Sequence, residues 1–196
     1  MALRQFRFLR EGLEREGGRR YRGGVVSAPV TIREETDADA GAIRNVNELA
    51  FGRPDEASIV DALRDHGKSF LSLVAVIGDE VVGHVMFSPF TIEAGGEMRA
   101  EAALAPLAVL PAWQGRGIGS ALAREGLERC RALGYGAVFL LGNPAYYGRF
   151  GFRPASAFGI RYAGELAAPD AFQAVELRAG ALSGMAGIGR FEPELM

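Results

Sequence analysis

The chain has one cysteine, Cys130, one lysine, Lys68, and two histidines, His66 and His84, among its 196 residues. A lone cysteine excludes an intramolecular disulfide, so the expected setting is reducing and cytoplasmic. No His or Cys cluster stands at metal-ligand spacing, and no metal site is predicted. Cys130 lies between Arg129 and Arg131 in a helical pattern with no histidine in evident reach; it reads as a small packing residue rather than a nucleophile. No apolar run approaches the roughly 18 residues of a membrane span. Arg4, Arg7 and Arg10 break up the opening stretch, which therefore lacks a secretory pattern. Nor is there an aromatic and basic strip of the kind that binds RNA.

Charge is uneven. Residues 1–27 carry seven arginines against three glutamates, a net of +4, whereas the whole chain is −2, leaving residues 28–196 at −6. An acidic body argues against nucleic acid as the main partner and favours a cationic one. Residues 1–27 read as an appendage: either a mobile tail, or an amphipathic helix through Leu3, Phe6, Leu9 and Leu13 that docks on a partner or an anionic surface. Residues 28–196, in a chain that is 48% apolar with 27 glycines, read as one domain with a substantial core and many turns.

Periodicity predicts the elements in turn. Val30 to Arg33 alternates as a strand, and Thr36-Asp37-Ala38-Asp39 has the form of a helix start. The helix that follows carries Ile43, Val46, Leu49 and Ala50 on one face and stops at Gly52; Pro54 opens a second with Ile59, Val60 and Leu63 inward. Phe70 to Ile77 and Val81 to Ser88 form a hairpin about Gly78-Asp79-Glu80, with a break at Pro89 and another at Gly95-Gly96. Met98 to Leu110 holds a further strand. Ala137 to Leu141 is apolar throughout, as in a strand covered on both faces. A short helix starts at Pro144, and Phe158 to Tyr162 and Phe172 to Leu177 are strand candidates. The order is β-α-α-β-β-β-α-β-α-β-β, an α/β chain of the α+β type.

Its organising stretch is Leu107 to Ser120, a strand end at Pro111 followed by Gly115, Gly117 and Gly119 at alternate positions and then a helix to Leu133. Glycines there permit tight turning and close backbone approach. The N–H groups of such a helix start, with the positive end of its dipole, favour an anion. The Walker pattern needs a lysine that this loop lacks, and the dinucleotide fingerprint needs G-x-G-x-x-G rather than this spacing.

Gln114-Gly115-Arg116-Gly117-Ile118-Gly119 resembles the acetyl-coenzyme A loop of the GNAT superfamily of N-acetyltransferases, Gln/Arg-x-x-Gly-x-Gly/Ala, and Tyr147-Gly148-Arg149-Phe150-Gly151-Phe152 resembles that family's Tyr-x-x-x-Gly-Phe. The resemblance spans residues 30–177. It implies a mixed, mostly antiparallel sheet flanked by helices, splayed between two strands to admit acetyl-coenzyme A. It also implies direct acetyl transfer to an amine of a small molecule or peptide, and homodimers are common in such families. On this reading the amides of Gly115, Arg116, Gly117, Ile118, Gly119 and Ser120, with Gln114, face the pyrophosphate. The backbone of Leu107, Ala108 and Val109 lines the pantetheine arm, and Tyr147 protonates the leaving thiolate. Arg116 is either a phosphate contact or a solvated surface residue; Asn143 either touches the cofactor arm or is a turn residue. For the proton on the amine the candidates are Glu101, on the strand face of Ala103, where histone-type members carry Glu; His84, which titrates near neutrality; and Glu56, on the helix bordering the acceptor cleft. Ordered water is the alternative. The rival readings are an acyl-coenzyme A sensor or partner-binding module on the same fold, and a nucleotide- or phosphate-binding protein reusing the loop.

Overall fold

The computed structural model describes residues 29–195, and the expectations for residues 1–27 lie outside them. Strand β1 (Thr31–Glu34) pairs antiparallel with β2 (Leu71–Ile77), and β2 with β3 (Glu80–Ala94). β3 turns back into β4 (Glu97–Val109), and the two form the longest pairing of the sheet. Between β1 and β2 stand helices α1 (Ala40–Phe51) and α2 (Asp55–Asp65). The entry to α1 is a capping box: the Asp39 carboxylate accepts the Thr36 N–H at 2.7 Å, and Arg33 adds two hydrogen bonds that hold its pKa well below the usual range. α1 ends at Gly52, whose φ of +69° suits a residue without a side chain. Its buried face is Ile43, Val46 and Asn47. Leu49 was expected there but is 53% exposed, because six residues on from Ile43 is two-thirds of a turn out of phase.

Helix α3 (Ile118–Ala132) follows β4 and packs on the sheet through Leu122, Ala123 and Gly126. A Cβ at Gly126 would overlap the Phe87 ring on β3, so glycine there sets how closely the helix approaches. β5 (Ala137–Leu141), buried as expected, runs parallel to β4, and the short helix α4 (Pro144–Tyr147) leaves its end. Then come β6 (Arg153–Pro154), β7 (Ile160–Tyr162), β8 (Phe172–Glu176) and β9 (Gly187–Phe191). The sheet order is β1-β2-β3-β4-β5-β8-β6, with β9 on the outer half of β3 and β7 on β9. The α+β class and the mostly antiparallel sheet are as read from the sequence. The core centres on Phe90 and Phe139, stacked at 4.2 Å between ring centres, with Phe191 edge-on to Phe90 at 4.9 Å.

Three local expectations are corrected. β3 does not stop at Pro89. The Phe70 N–H donates to the Phe87 carbonyl on the β2 edge, and alternation puts the Pro89 nitrogen on that same edge. There β2 has ended and the pairing of β3 with β9, which begins at Phe90, has not started, so the missing N–H breaks no ladder. The strand expected from Phe158 is shorter, because residues Ala155–Phe158 make a 3-10 turn closed by Gly159. β9 was not expected at all. A Cβ at Gly189 would overlap the Phe90 ring, and one at Gly187 would lie 2.6 Å from the Glu93 carbonyl oxygen, so glycines with poor strand propensity are what allow this strand to lie so close.

Candidate active site

β4 and β5 are paired only at Ala102–Val138 and Ala103–Phe139. β4 then continues six residues further and β5 two, without pairing, so the sheet opens into a wedge. β4 carries one extra residue against β3 between Leu104 and Leu107, a bulge that bends it at the wedge. Which backbone groups face the gap follows from the ladder. The Leu110 N–H donates to the Val82 carbonyl at 2.9 Å, and Ala108 stands opposite His84 two places along, so Ala108 turns its N–H and C=O toward β3. Leu107 and Val109 alternate with it and point theirs into the wedge. Ala108 was expected to line the gap with its backbone; the register instead commits those groups to the sheet. Of the outward pair, the Val109 carbonyl accepts from the Gln114 side chain at 2.9 Å. Gln114 thus ties the loop to the strand end.

The loop turns through Gly115 (φ +74°) and Gly117 (φ +85°), angles that L side chains rarely adopt. The first α3 bond runs from the Ala121 N–H to the Gly117 carbonyl, so the N–H groups of Ile118, Gly119 and Ser120 have no partner within the helix. Arg116 lies over the Trp113 ring at 4.8 Å. Across the gap, the Asn143 side chain caps α4 by accepting the Ala145 N–H at 2.9 Å and also faces the gap. The Tyr146 hydroxyl approaches α3 so closely that a Cβ at Gly119 would sit 2.8 Å from it. The Tyr147 ring lies against Gly142, where a Cβ would overlap it. Gly142 is itself pinned: its N–H donates to the Ala171 carbonyl at 2.9 Å and its carbonyl accepts from Gln173 Nε2 at 3.0 Å.

Two cavities open on either side of this arrangement. The larger, about 530 Å³, is bounded by the loop, the start of α3, Val109, Asn143 and Tyr146. The smaller, about 290 Å³, lies between α1, α2, the β4 bulge, Leu141 and the C-terminal Phe191 and Leu195. Leu107 and Tyr147 are the two residues that line both.

The sequence of residues 31–155 matches the family model described as acetyltransferase (GNAT) domain. The chain belongs to the GNAT acetyltransferase family. It is 37% identical over 158 residues to the uncharacterized N-acetyltransferase YhbS of Escherichia coli strain K12, covering 80% of this chain and 93% of that one. The crystal structure of E. coli YhbS in complex with CoA superposes with a TM-score of 0.81 at 34% identity, over 88% of this chain and 95% of that one. A GNAT family acetyltransferase from Brucella melitensis in complex with acetyl-CoA gives a TM-score of 0.70 at 36% identity, over 86% and 99%. This chain is accordingly an acyltransferase of that family. Among the described residues, no helix is long and apolar enough to cross a membrane.

In this GNAT domain the acid–base candidates fall in different places. Tyr147 lies at the seam of the cavities; burial first, then nearby Tyr146, push its pKa above the ordinary 10. Glu101 lines neither cavity. One of its oxygens accepts the N–H groups of Gly136 and Ala137, both at 2.8 Å, the other accepts from Arg99, and the residue is 2% exposed. Its carboxylate therefore pins the start of β5 to β4. His84 is fully buried and also lines neither cavity. Asn47 Nδ2 donates to the Ile43 carbonyl and faces His84 Nδ1 at 3.1 Å, so Nδ1 accepts and the other nitrogen, Nε2, donates to Ser72 at 2.9 Å. Ser72 in turn donates to Glu35. Burial lowers the His84 pKa from 6.5 to about 4. Glu56 alone of the three carboxylate and imidazole candidates faces the smaller cavity, paired with Arg53.

Sequence reasoning left Tyr146 as a packing residue beside Tyr147, took Gly142 for part of a turn, and passed over Arg149. Arg149 lies over the Tyr146 ring at 4.3 Å and borders the larger cavity; it sits inside the aromatic motif that singled out Tyr147, which was the available signal.

Proposed function

We propose that this protein is an acetyl-coenzyme A dependent N-acetyltransferase, with the larger cavity holding the cosubstrate, the smaller the amine, and Tyr147 acting as general acid. The observation that carries the reading is the seam: two cavities of different character meet at Leu107 and Tyr147. The residues fit such a cosubstrate. The amides at the start of α3 suit a pyrophosphate. The outward N–H and C=O of Leu107 and the N–H of Val109 suit the amides of a pantetheine arm laid in the wedge, as a strand adds to an open edge. Gly119 leaves the helix start uncovered.

Acetyl-coenzyme A supplies an acetyl group already activated as a thioester. Leu107 and the wall at Gly142 hold the carbonyl where an amine in the smaller cavity meets it. A C–N bond forms, the C–S bond breaks, and the Tyr147 hydroxyl gives its proton to sulfur. The proton released by nitrogen returns to Tyr147 through water. The raised pKa keeps the phenol protonated until transfer, and the same apolar surroundings disfavour a bare thiolate, which draws the proton across. With Glu101 and His84 committed elsewhere, the amine loses its proton to water or to Glu56.

Thiol release from acetyl-coenzyme A with an accepted amine tests the assignment. Tyr147→Phe is expected to lower kcat by about 10²–10³ and to leave KM for acetyl-coenzyme A within about threefold. An unchanged kcat would remove Tyr147 from the chemistry.

A further inference from the structure

The smaller cavity has a chemistry of its own. Its walls are Phe51 and Ile59 from the helices, the β4 bulge, Leu141 and Phe191, all apolar. Among the described residues that line it, Glu56 is the one carboxylate, and Arg53 grips it through two guanidinium nitrogens, one of them Nε at 3.0 Å. Arg53 also pairs with Asp55 at 3.3 Å. Among the described residues, Arg53, Glu56 and Asp55 together leave a single surplus negative charge at the cavity, enough for one cation and not for several. A polyamine or an amino sugar with several ammonium groups would bring charges that nothing there matches. An amino acid would bring a carboxylate toward an arginine already engaged by two acids. One amine on an apolar body meets neither penalty: the body buries against the walls, and the ammonium hydrogen-bonds the outer oxygen lone pairs of Glu56. Such walls also favour the neutral amine, the nucleophilic form. Phe191 comes from outside the family-matched residues 31–155, so this chemistry is set partly by the chain's own C-terminal segment.

We infer that the acceptor is an arylalkyl or alkyl monoamine, bound in the smaller cavity with its ammonium on Glu56. This rests on the seam at Tyr147 being the transfer point. Calorimetry on the full chain saturated with non-acetylated coenzyme A separates binding from transfer, using 2-phenylethylamine, phenylalanine and spermidine as probes. The expected result is that 2-phenylethylamine binds at least about tenfold more tightly than the other two, and that Glu56→Gln weakens it about tenfold without changing coenzyme A affinity. Ile59→Trp, which fills the same cavity, is expected to abolish its binding and to spare coenzyme A. Equal or tighter binding of phenylalanine or spermidine, no binding of 2-phenylethylamine, or indifference to both substitutions would overturn the inference. Binding of 2-phenylethylamine without acetyl transfer would instead overturn the transferase reading, and with it the amine's role as acceptor, leaving only the cavity's preference for a monoamine ligand.

Discussion

The larger cavity has three glycines and the open amides of a helix start in its lining; the smaller is lined mostly by apolar side chains. Around the larger one, the positive φ angles of Gly115 and Gly117, the unpartnered amides at the start of α3 and the outward backbone of Leu107 and Val109 set the shape. Around the smaller one, Phe51, Ile59, Leu104, Leu141 and Phe191 come from five separate stretches, and removing any one changes what fits. The first lies within the family-matched residues and the second extends beyond them. A backbone site holds a ligand that does not vary; a side-chain site is free to differ between relatives, because its residues answer to no fixed geometry.

Three perturbations sharpen that contrast. The largest effect is expected from Gly119→Val, which drives a branched side chain toward the Tyr146 hydroxyl and covers the helix start. Affinity for acetyl-coenzyme A should fall about 100-fold in a fluorescence or calorimetric titration, while the protein still unfolds cooperatively; unchanged affinity would mean that the helix start is not the anion site.

Acid should act next, and on the other side. His84 joins Asn47 on α1 to Ser72 on β2, and Ser72 passes the link to Glu35, which Arg64 of α2 holds by two hydrogen bonds. These are the helices that wall the smaller cavity. The folded state keeps His84 neutral down to about pH 4, whereas an unfolded chain takes the proton near 6.5. The unfolded state therefore binds more protons between those values. Stability should be flat above pH 6.5 and fall as pH drops toward 4, by about 2 kcal/mol at pH 5. Glu35, whose pKa is also depressed in the fold, adds to the loss only at the lower end of that range. Urea denaturation from pH 8 to pH 4 measures the slope, and His84→Leu should flatten its upper part.

The smallest effect is expected at the seam's support. Gly142→Ala pushes the Tyr147 ring off its seat and should lower kcat about tenfold with little change in stability, as followed by turnover and thermal unfolding.

The legible parts of the sequence were those where geometry restricts residue type. Few residues besides glycine serve at positions 115 and 117, so the loop announced itself, whereas Tyr147 was reached only through the resemblance of its motif to a family pattern. Glu101 shows where such reading ends. Period-two alternation placed it on a strand face, but its partners, the N–H groups of Gly136 and Ala137, lie 35 and 36 residues along the chain, and nothing local signals that they need a carboxylate. His84 has the same history, since its burial is decided by α1 folding over β3. Pro89 and the glycines of β9 misled in the opposite sense: each breaks a local rule at a place where the tertiary contact permits it. The smaller cavity was illegible because phenylalanine, isoleucine and leucine at helix and strand spacing look alike whether they face a core or a ligand.

The central claim is that the thioester sulfur comes to rest beside Tyr147. A crystal structure with coenzyme A bound measures this directly. The account predicts the sulfur within about 3.5 Å of the Tyr147 hydroxyl, in the wedge between β4 and β5, with the pyrophosphate on the amides of residues 115–120. A coenzyme A whose sulfur lies out of hydrogen-bonding reach of that hydroxyl would contradict it.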